Sequence, residues 1–81
     1  MERFQYAVGL ALAVEGGFVV SCRDLLQLVT QGEDVEDALI EAADAMDEVF
    51  AAYMRGGLVL PSPSKARKGE HLVSPPEKTF G

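Results

Sequence analysis

Residues near the start of the chain alternate in size. Every second position is large and apolar, and the positions between are mostly small or polar; the large ones are Phe4, Tyr6, Val8, Leu10, Leu12 and Val14. Successive side chains of a strand point to opposite faces, so this period of two indicates an extended segment. It predicts a strand with one large-residue face and one small-residue face.

Two more strands are predicted before any helix. Gly16 and Gly17 supply a turn, and Phe18–Cys22 is a second apolar run, which together favour an antiparallel hairpin. A third short strand is predicted at residues 28–31, after a kink at Arg23 and Asp24.

The spacing of apolar residues then changes from two to three or four. One face of a helix is predicted from Val35, Ala38, Leu39, Ala42, Met46, Val49, Phe50 and Tyr53. Gly32 ends the third strand, Asp34 is a suitable N-cap residue, and Gly56-Gly57 stops the helix near Arg55. Such a helix is roughly 30 Å long, enough to cover a small sheet.

The remaining residues predict a loop and one more strand. Residues 61–69 are rich in proline, serine and basic residues and are expected to form a mobile loop, and residues 71–74 fit a final edge strand. The expected fold is α+β, a two-layer domain with an antiparallel sheet of three to four strands and one long helix, in the order β-β-β-α-β. We expect this domain to occupy residues 1–76, with a flexible tail at 77–81.

Charge is distributed very unevenly. The 81 residues carry a net charge of −6, and residues 24–54 hold nine acidic side chains but no lysine or arginine. An acidic surface repels nucleic acid and attracts basic proteins. The only basic cluster, residues 65–68, has no aromatic residues for stacking, so DNA binding by this chain is not expected.

Most of these acids fall opposite the apolar stripe of the helix. We call this surface the acidic face; its members are Glu36, Asp37, Glu41, Asp44, Asp47 and Glu48, with Ile40 among them. An ordinary solvated face is one interpretation. The other is a docking surface, because acidic side chains four residues apart repel each other and an exposed isoleucine resembles an anchor surrounded by steering charges.

Catalytic and metal-binding patterns do not emerge from the sequence. His71 has no orienting partner at a recognisable spacing, and Cys22 lies in an apolar strand where a small buried residue is the usual interpretation. A single cysteine also favours a reducing, cytoplasmic setting. The apolar run at residues 7–14 is too short to span a bilayer. We therefore expect no enzyme activity, no cofactor and no membrane partner.

One family pattern fits residues 4–55. The chain carries Glu15-Gly16-Gly17-Phe18, then Asp24-Leu25, then Thr30-Gln31-Gly32 before a helix rich in glutamate and alanine. This resembles the HicB antitoxin family, whose members have an acidic-Gly-x-aromatic step, then Asp-Leu-Pro-Gly-Cys, then Thr-x-Gly-Asp. Here Leu26-Gln27-Leu28 stands in place of the Pro-Gly-Cys.

The resemblance implies a partial ribonuclease H-like fold without that enzyme's metal-binding carboxylates. It also implies a non-enzymatic antitoxin that neutralises a small basic ribonuclease toxin of the HicA type. Asp24, in the loop that matches the family motif, joins the acidic face as a candidate for partner binding. The C-terminal DNA-binding segment usual in the family is not expected among these residues, which end soon after Pro75-Pro76.

A small core and open strand edges predict a homodimer or larger assembly, through residues 28–31 or the segment after the helix. The alternative function is an orphan oligomeric regulator or ligand-binding domain of the same fold, without a toxin partner.

Overall fold

A computed structural model describes residues 5–76 of the chain. It has a four-stranded antiparallel sheet and one α-helix, and the strands lie in the order β3-β2-β1-β4. In chain order the elements are β1 (Tyr6–Leu12), β2 (Phe18–Cys22), β3 (Val29–Gly32), α1 (Val35–Arg55) and β4 (His71–Val73). The α+β class and the predicted order of elements are confirmed. The tail predicted at 77–81 lies outside the described residues.

The core lies between the helix and the large-residue face of the sheet. Tyr6 and Val8 of β1 are fully buried against the helix, as the alternating pattern predicted. The buried cluster comprises Tyr6, Val8, Val20, Cys22, Leu25, Leu28, Ala38, Ala42, Met46 and Val73. The helix contributes mainly small residues, so its backbone lies close to the sheet.

The first strand is shorter than its alternating pattern predicted. Leu12 is 78% exposed and Val14 is fully exposed, although both were expected on the core face; Phe4 lies outside the described residues. Val14 belongs to the turn closed by the hydrogen bond from the Ala13 amide to the Gly17 carbonyl. An open depression of about 630 Å³ lies between this turn and the start of the helix, so no helical layer covers these residues.

Gly32 sets the distance between the last residue of β3 and the first turn of α1. A Cβ atom at this position would lie 2.4 Å from the Ala38 amide nitrogen and 2.5 Å from its Cα. Only glycine permits this close approach of two backbones. Gly32 therefore fixes where the helix begins on the sheet.

Both ends of the helix are capped by the residues predicted for them. The Asp34 carboxylate accepts a hydrogen bond from the Asp37 amide at 2.8 Å. At the other end, Gly57 has a positive φ of 68°, and its amide donates to the Met54 carbonyl. A left-handed glycine after the last turn is a common way to end a helix.

A tight turn connects β2 to β3. The Leu28 amide donates to the Leu25 carbonyl at 2.9 Å, and both leucines are fully buried. Among residues 5–76, only glycines have a positive φ. A type I turn needs no residue with a positive φ and accepts most residue types at its central positions. Leu26 and Gln27 can therefore form this turn without the family's Pro-Gly.

The segment after the helix is attached to the sheet, whereas its composition predicted a mobile loop. The Tyr6 hydroxyl donates to the Pro61 carbonyl, and Ser64 donates to Asp24 through both its amide and its hydroxyl, each at 2.8 Å. Arg23 donates to both carboxylate oxygens of Glu70, at 2.7 and 3.0 Å. Long-range side-chain bonds of this kind leave no local signal in the composition.

Candidate partner-binding surface

The acidic face of α1 is largely open to solvent. Glu36, Glu41, Asp44 and Glu48 are exposed, whereas Asp37 and Asp47 are half-buried. Ile40 is 57% exposed, as the helical wheel predicted. The structure therefore places all six acids and the isoleucine on one helix, with the four exposed carboxylates presented together.

Asp37 also has a structural role at the start of the helix. Its carboxylate accepts a hydrogen bond from the Glu33 amide at 2.9 Å, while its own amide is bound by Asp34. These two bonds satisfy amide groups at the helix start, as in a capping box. Asp37 thus stabilises the N-terminus of α1 as well as contributing charge to the acidic face.

Asp24, unlike the exposed acids of the acidic face, is hydrogen-bonded to another part of the chain. Its two carboxylate oxygens accept the two hydrogen bonds from Ser64, and these bonds hold the pKa of Asp24 below its usual value. The carboxylate therefore anchors the segment after the helix. Its predicted role in partner binding remains a prediction.

A second apolar side chain is exposed on the outer side of the helix. Met54 is 77% exposed and lies fourteen residues after Ile40, which places it near the same side of the helix and about 21 Å further along. The exposure of Met54 was not predicted, although its spacing from Ile40 is visible in the sequence. Val35, expected in the apolar stripe, is 41% exposed because it is the first residue of α1.

A groove runs along the opposite flank of the helix, beside edge strand β3. Its volume is about 210 Å³, and it is lined by Gln27, Val29, Ala45, Glu48, Val49, Ala52 and Tyr53. The Tyr53 hydroxyl donates to the Gln27 side-chain oxygen at 3.4 Å, a long hydrogen bond. The residues that line the groove are mostly apolar, and Glu48 among them also belongs to the acidic face.

Groups suited to catalysis are scattered. Cys22 is a buried free thiol in β2, and His71 is half-buried on edge strand β4. Within residues 5–76 no three histidine, cysteine or acidic side chains come together as metal ligands do. The same part of the chain contains no helix long and apolar enough to cross a bilayer.

Comparison with known proteins identifies the family of this chain. Residues 5–79 match the family described as the HicB-like antitoxin of bacterial toxin-antitoxin systems. The chain belongs to the HicB-like antitoxin family. It is 36% identical to the antitoxin HicB of Escherichia coli K12 over 72 residues. These aligned residues make up 89% of this chain and 52% of that protein.

A second HicB relative gives the same result. Antitoxin HicB 1 of Photorhabdus laumondii is 33% identical over 76 residues, which make up 94% of this chain and 48% of the relative. This HicB-like chain therefore spans about half the length of the curated relatives it matches.

The structure gives physical roles to the residues that carry the family pattern in this HicB-like chain. Gly32, in the Thr-x-Gly step, permits the close crossing of β3 and α1. Asp24 anchors Ser64, and the following Leu25 is fully buried. Each of these residues supports the placement of the helix or of the segment that follows it, and the acidic face lies outside this framework.

Proposed function

We propose that this HicB-like domain is a non-enzymatic antitoxin that binds a small basic ribonuclease toxin of the HicA type through the acidic face of α1. The observation that carries the proposal is that four carboxylates of this face are open to solvent. Glu36, Glu41, Asp44 and Glu48 are exposed, and the structure gives them no hydrogen-bond or ion-pair partner among residues 5–76.

Repulsion within this face favours binding of a cationic surface. Asp44 and Glu48 are four residues apart, and a like-charge pair at this spacing destabilises a helix by roughly 0.2–0.5 kcal/mol. Positive groups of a partner remove this repulsion when they dock. The long-range field of the same charges also speeds encounter with a basic protein, especially at low salt.

Ile40 gives the proposed interface an apolar centre. It is 57% exposed and surrounded by the steering charges, and Met54 extends the apolar contact toward the end of the helix. Small apolar anchors ringed by polar groups often contribute most of the binding energy of an interface. In this arrangement the carboxylates govern association and Ile40 governs dissociation.

The helix holds these groups in fixed positions relative to one another. Ala38, Ala42 and Met46 are fully buried against the sheet, and both helix ends are capped. A prearranged surface loses little conformational entropy on binding. We place the domain in the cytoplasm, where RNA, the substrate of the proposed toxin, is available and where the free thiol of Cys22 stays reduced. Specific DNA binding by these residues is not expected.

The direct experiment is inhibition of RNA cleavage. The test partner is a small basic protein encoded in the gene next to this chain; it is mixed with the purified domain, and cleavage of a single-stranded RNA is followed. We expect complete inhibition at a one-to-one ratio and a complex on gel filtration, while an unrelated basic ribonuclease keeps its activity. Full cleavage in the presence of excess domain would refute the antitoxin role and favour the orphan regulator.

Substitution of Ile40 tests the apolar centre. Ile40→Asp should increase the dissociation rate of the complex about tenfold or more, since an anchor is lost while steering charge is retained. Val14→Asp is the matched control, because Val14 is fully exposed in the hairpin turn. Surface plasmon resonance measures both variants, and equal dissociation rates for the two would place the toxin elsewhere on the domain.

A further inference from the structure

Edge strand β3 is open to pairing on one side. Within residues 5–76 it pairs only with β2, in a continuous register, and its four residues include no charged residue and no proline. Natural edge strands are usually protected from other chains by charges, prolines or bulges. The opposite edge, β4, has three residues and is soon followed by Pro75-Pro76, which lack amide donors. A further strand is therefore accepted more readily at β3.

The groove beside β3 provides room for the side chains of such a strand. Val29, at the start of β3, lies on one side of the groove, and Ala45, Val49 and Ala52 of α1 lie on the other. The groove volume of about 210 Å³ is too small for a helix, which is about 10–12 Å across with its side chains. An extended segment paired with β3 directs every second side chain toward the helix side of the sheet. Single side chains of that segment fit the groove.

Carboxylates border the groove on the helix side. Glu41, Asp44 and Glu48 are three and four residues apart, so they form a row along one side of α1. All three are exposed, and Glu48 also lines the groove. A segment in the groove therefore lies beside a row of negative charge, which favours a partner with positive side chains.

We propose that an extended segment of the basic partner adds to the sheet beside β3, inserts an apolar side chain between Val29 and Val49, and places a lysine or arginine against Glu48. This inference rests on the proposed function, since the partner is the basic toxin, and it adds a second contact next to the acidic face. In strand addition, main-chain hydrogen bonds provide affinity and pockets for alternate side chains provide specificity. The partner segment thus carries an apolar and a basic residue two positions apart.

Charge disfavours a second copy of this chain as the occupant. If β3 of one copy paired with β3 of another in an antiparallel manner, the strands would lie about 4.8 Å apart and both helices would cover the same side of the joined sheet. The carboxylate rows of both copies, Glu41, Asp44 and Glu48, would then border one junction and repel each other. A segment with positive side chains meets the same row with attraction.

One end of the groove can adapt to an inserted side chain. The Tyr53 hydroxyl donates to the Gln27 side-chain oxygen at 3.4 Å, which is long for a bond between two oxygen atoms. Such a weak contact is easily exchanged. Once released, the exposed Gln27 amide group is available to hydrogen-bond the backbone of the added strand.

The first test compares Ala52→Trp with Ala66→Trp in binding to the small basic protein encoded in the neighbouring gene. Ala52 is exposed and lines the groove, so a tryptophan there fills it, whereas Ala66 is exposed in the segment after the helix. Neither substitution changes the charge of the acidic face. Surface plasmon resonance should show dissociation at least tenfold faster for Ala52→Trp and within about twofold of the unmodified domain for Ala66→Trp. Circular dichroism checks that both variants are folded.

Hydrogen exchange of the unmodified domain tests the strand pairing itself, and it decides the matter if Ala52→Trp fails to fold. Alternate amides of an edge strand point away from its neighbour, so they become hydrogen-bonded only when another strand is added. We expect amides of Val29–Gly32 to exchange at least tenfold more slowly in the complex with the basic protein than in the free domain at the same concentration.

The outcomes separate this inference from the proposed function. Equal dissociation rates for Ala52→Trp and Ala66→Trp, or unchanged exchange in β3, would overturn strand addition and leave the antitoxin proposal in place. Protection of β3 in the free domain would assign the edge to a second copy and overturn the inference as well. Failure of the unmodified domain to bind the basic protein would refute both proposals.

Discussion

Two groups of carboxylates in this domain have opposite surroundings. Asp24 and Glu70 accept hydrogen bonds from within the chain, Asp24 from Ser64 and Glu70 from Arg23 and the Arg67 amide. Glu41 and Asp44 on the outer side of α1 are exposed and receive no such bond among residues 5–76. The first group holds the segment after the helix to the sheet, and the second is presented to solvent.

This difference distinguishes charges that build the fold from charges that are available to a partner. The Glu70 carboxylate accepts hydrogen bonds from the Arg23 side chain, which has the larger effect, and from the Arg67 amide. These bonds lower the pKa of Glu70 to about 2. A carboxylate held in this way is already occupied, and a docking cation would have to displace its partners. The exposed acids of the helix require no such exchange, which is why the antitoxin proposal rests on them.

The largest expected effect comes from Gly32, which positions the helix that carries the acidic face. Gly32→Ala should destabilise the domain by about 2–3 kcal/mol, because the added methyl group overlaps the backbone of Ala38. Urea unfolding measures the loss. Gly9→Ala is the matched control, since a Cβ there meets nothing within 4 Å. A loss below about 0.5 kcal/mol for Gly32→Ala would contradict the close crossing of β3 and α1.

A smaller effect should separate the two groups of carboxylates directly. Asp24→Ala removes the acceptor of two hydrogen bonds and should lower the free energy of unfolding by roughly 1–2 kcal/mol. Asp44→Ala should change it by less than about 0.5 kcal/mol, because an exposed residue with a repelling neighbour is removed. Thermal or urea unfolding of both variants gives the comparison. Equal losses would show that the two groups do not differ.

The smallest effect is a pH dependence that comes from Glu70. Its pKa is about 2 in the folded domain and near the ordinary 4.5 when unfolded. The folded state therefore binds the Glu70 proton less tightly than the unfolded state does. The stabilisation that Glu70 gives to the fold is complete above pH 4.5 and is lost as the pH falls toward 2. NMR titration of the Glu70 carboxyl group measures the pKa. Arg23→Ala should raise it, and an unchanged midpoint would remove Arg23 as the cause.

The sequence predicted the local features of this fold well. Alternation around Tyr6 and Val8 identified the core face of β1, and Asp34 and Gly56 marked the ends of the helix, because each signal depends on neighbouring residues. The acidic face followed from the same helical spacing. These predictions needed only the geometry of one strand and one helix.

Long-range features were not predictable in the same way. Asp24 and Ser64 are forty residues apart, and nothing near either residue indicates that they are bonded. The exposure of Leu12 depends on where the helix starts over the sheet, which Gly32 determines from another part of the chain.

The most direct test of the central claim is the association rate with the basic toxin after charge reversal on the helix. The double variant Glu41→Lys with Asp44→Lys is compared with Glu15→Lys and Glu33→Lys, which reverses two exposed acids outside the helix and changes the net charge equally. Stopped-flow measurement at low salt should show association slowed at least tenfold by the helix variant and much less by the control. Equal rates for both double variants would contradict the account, because the acidic face would then act only through its net charge.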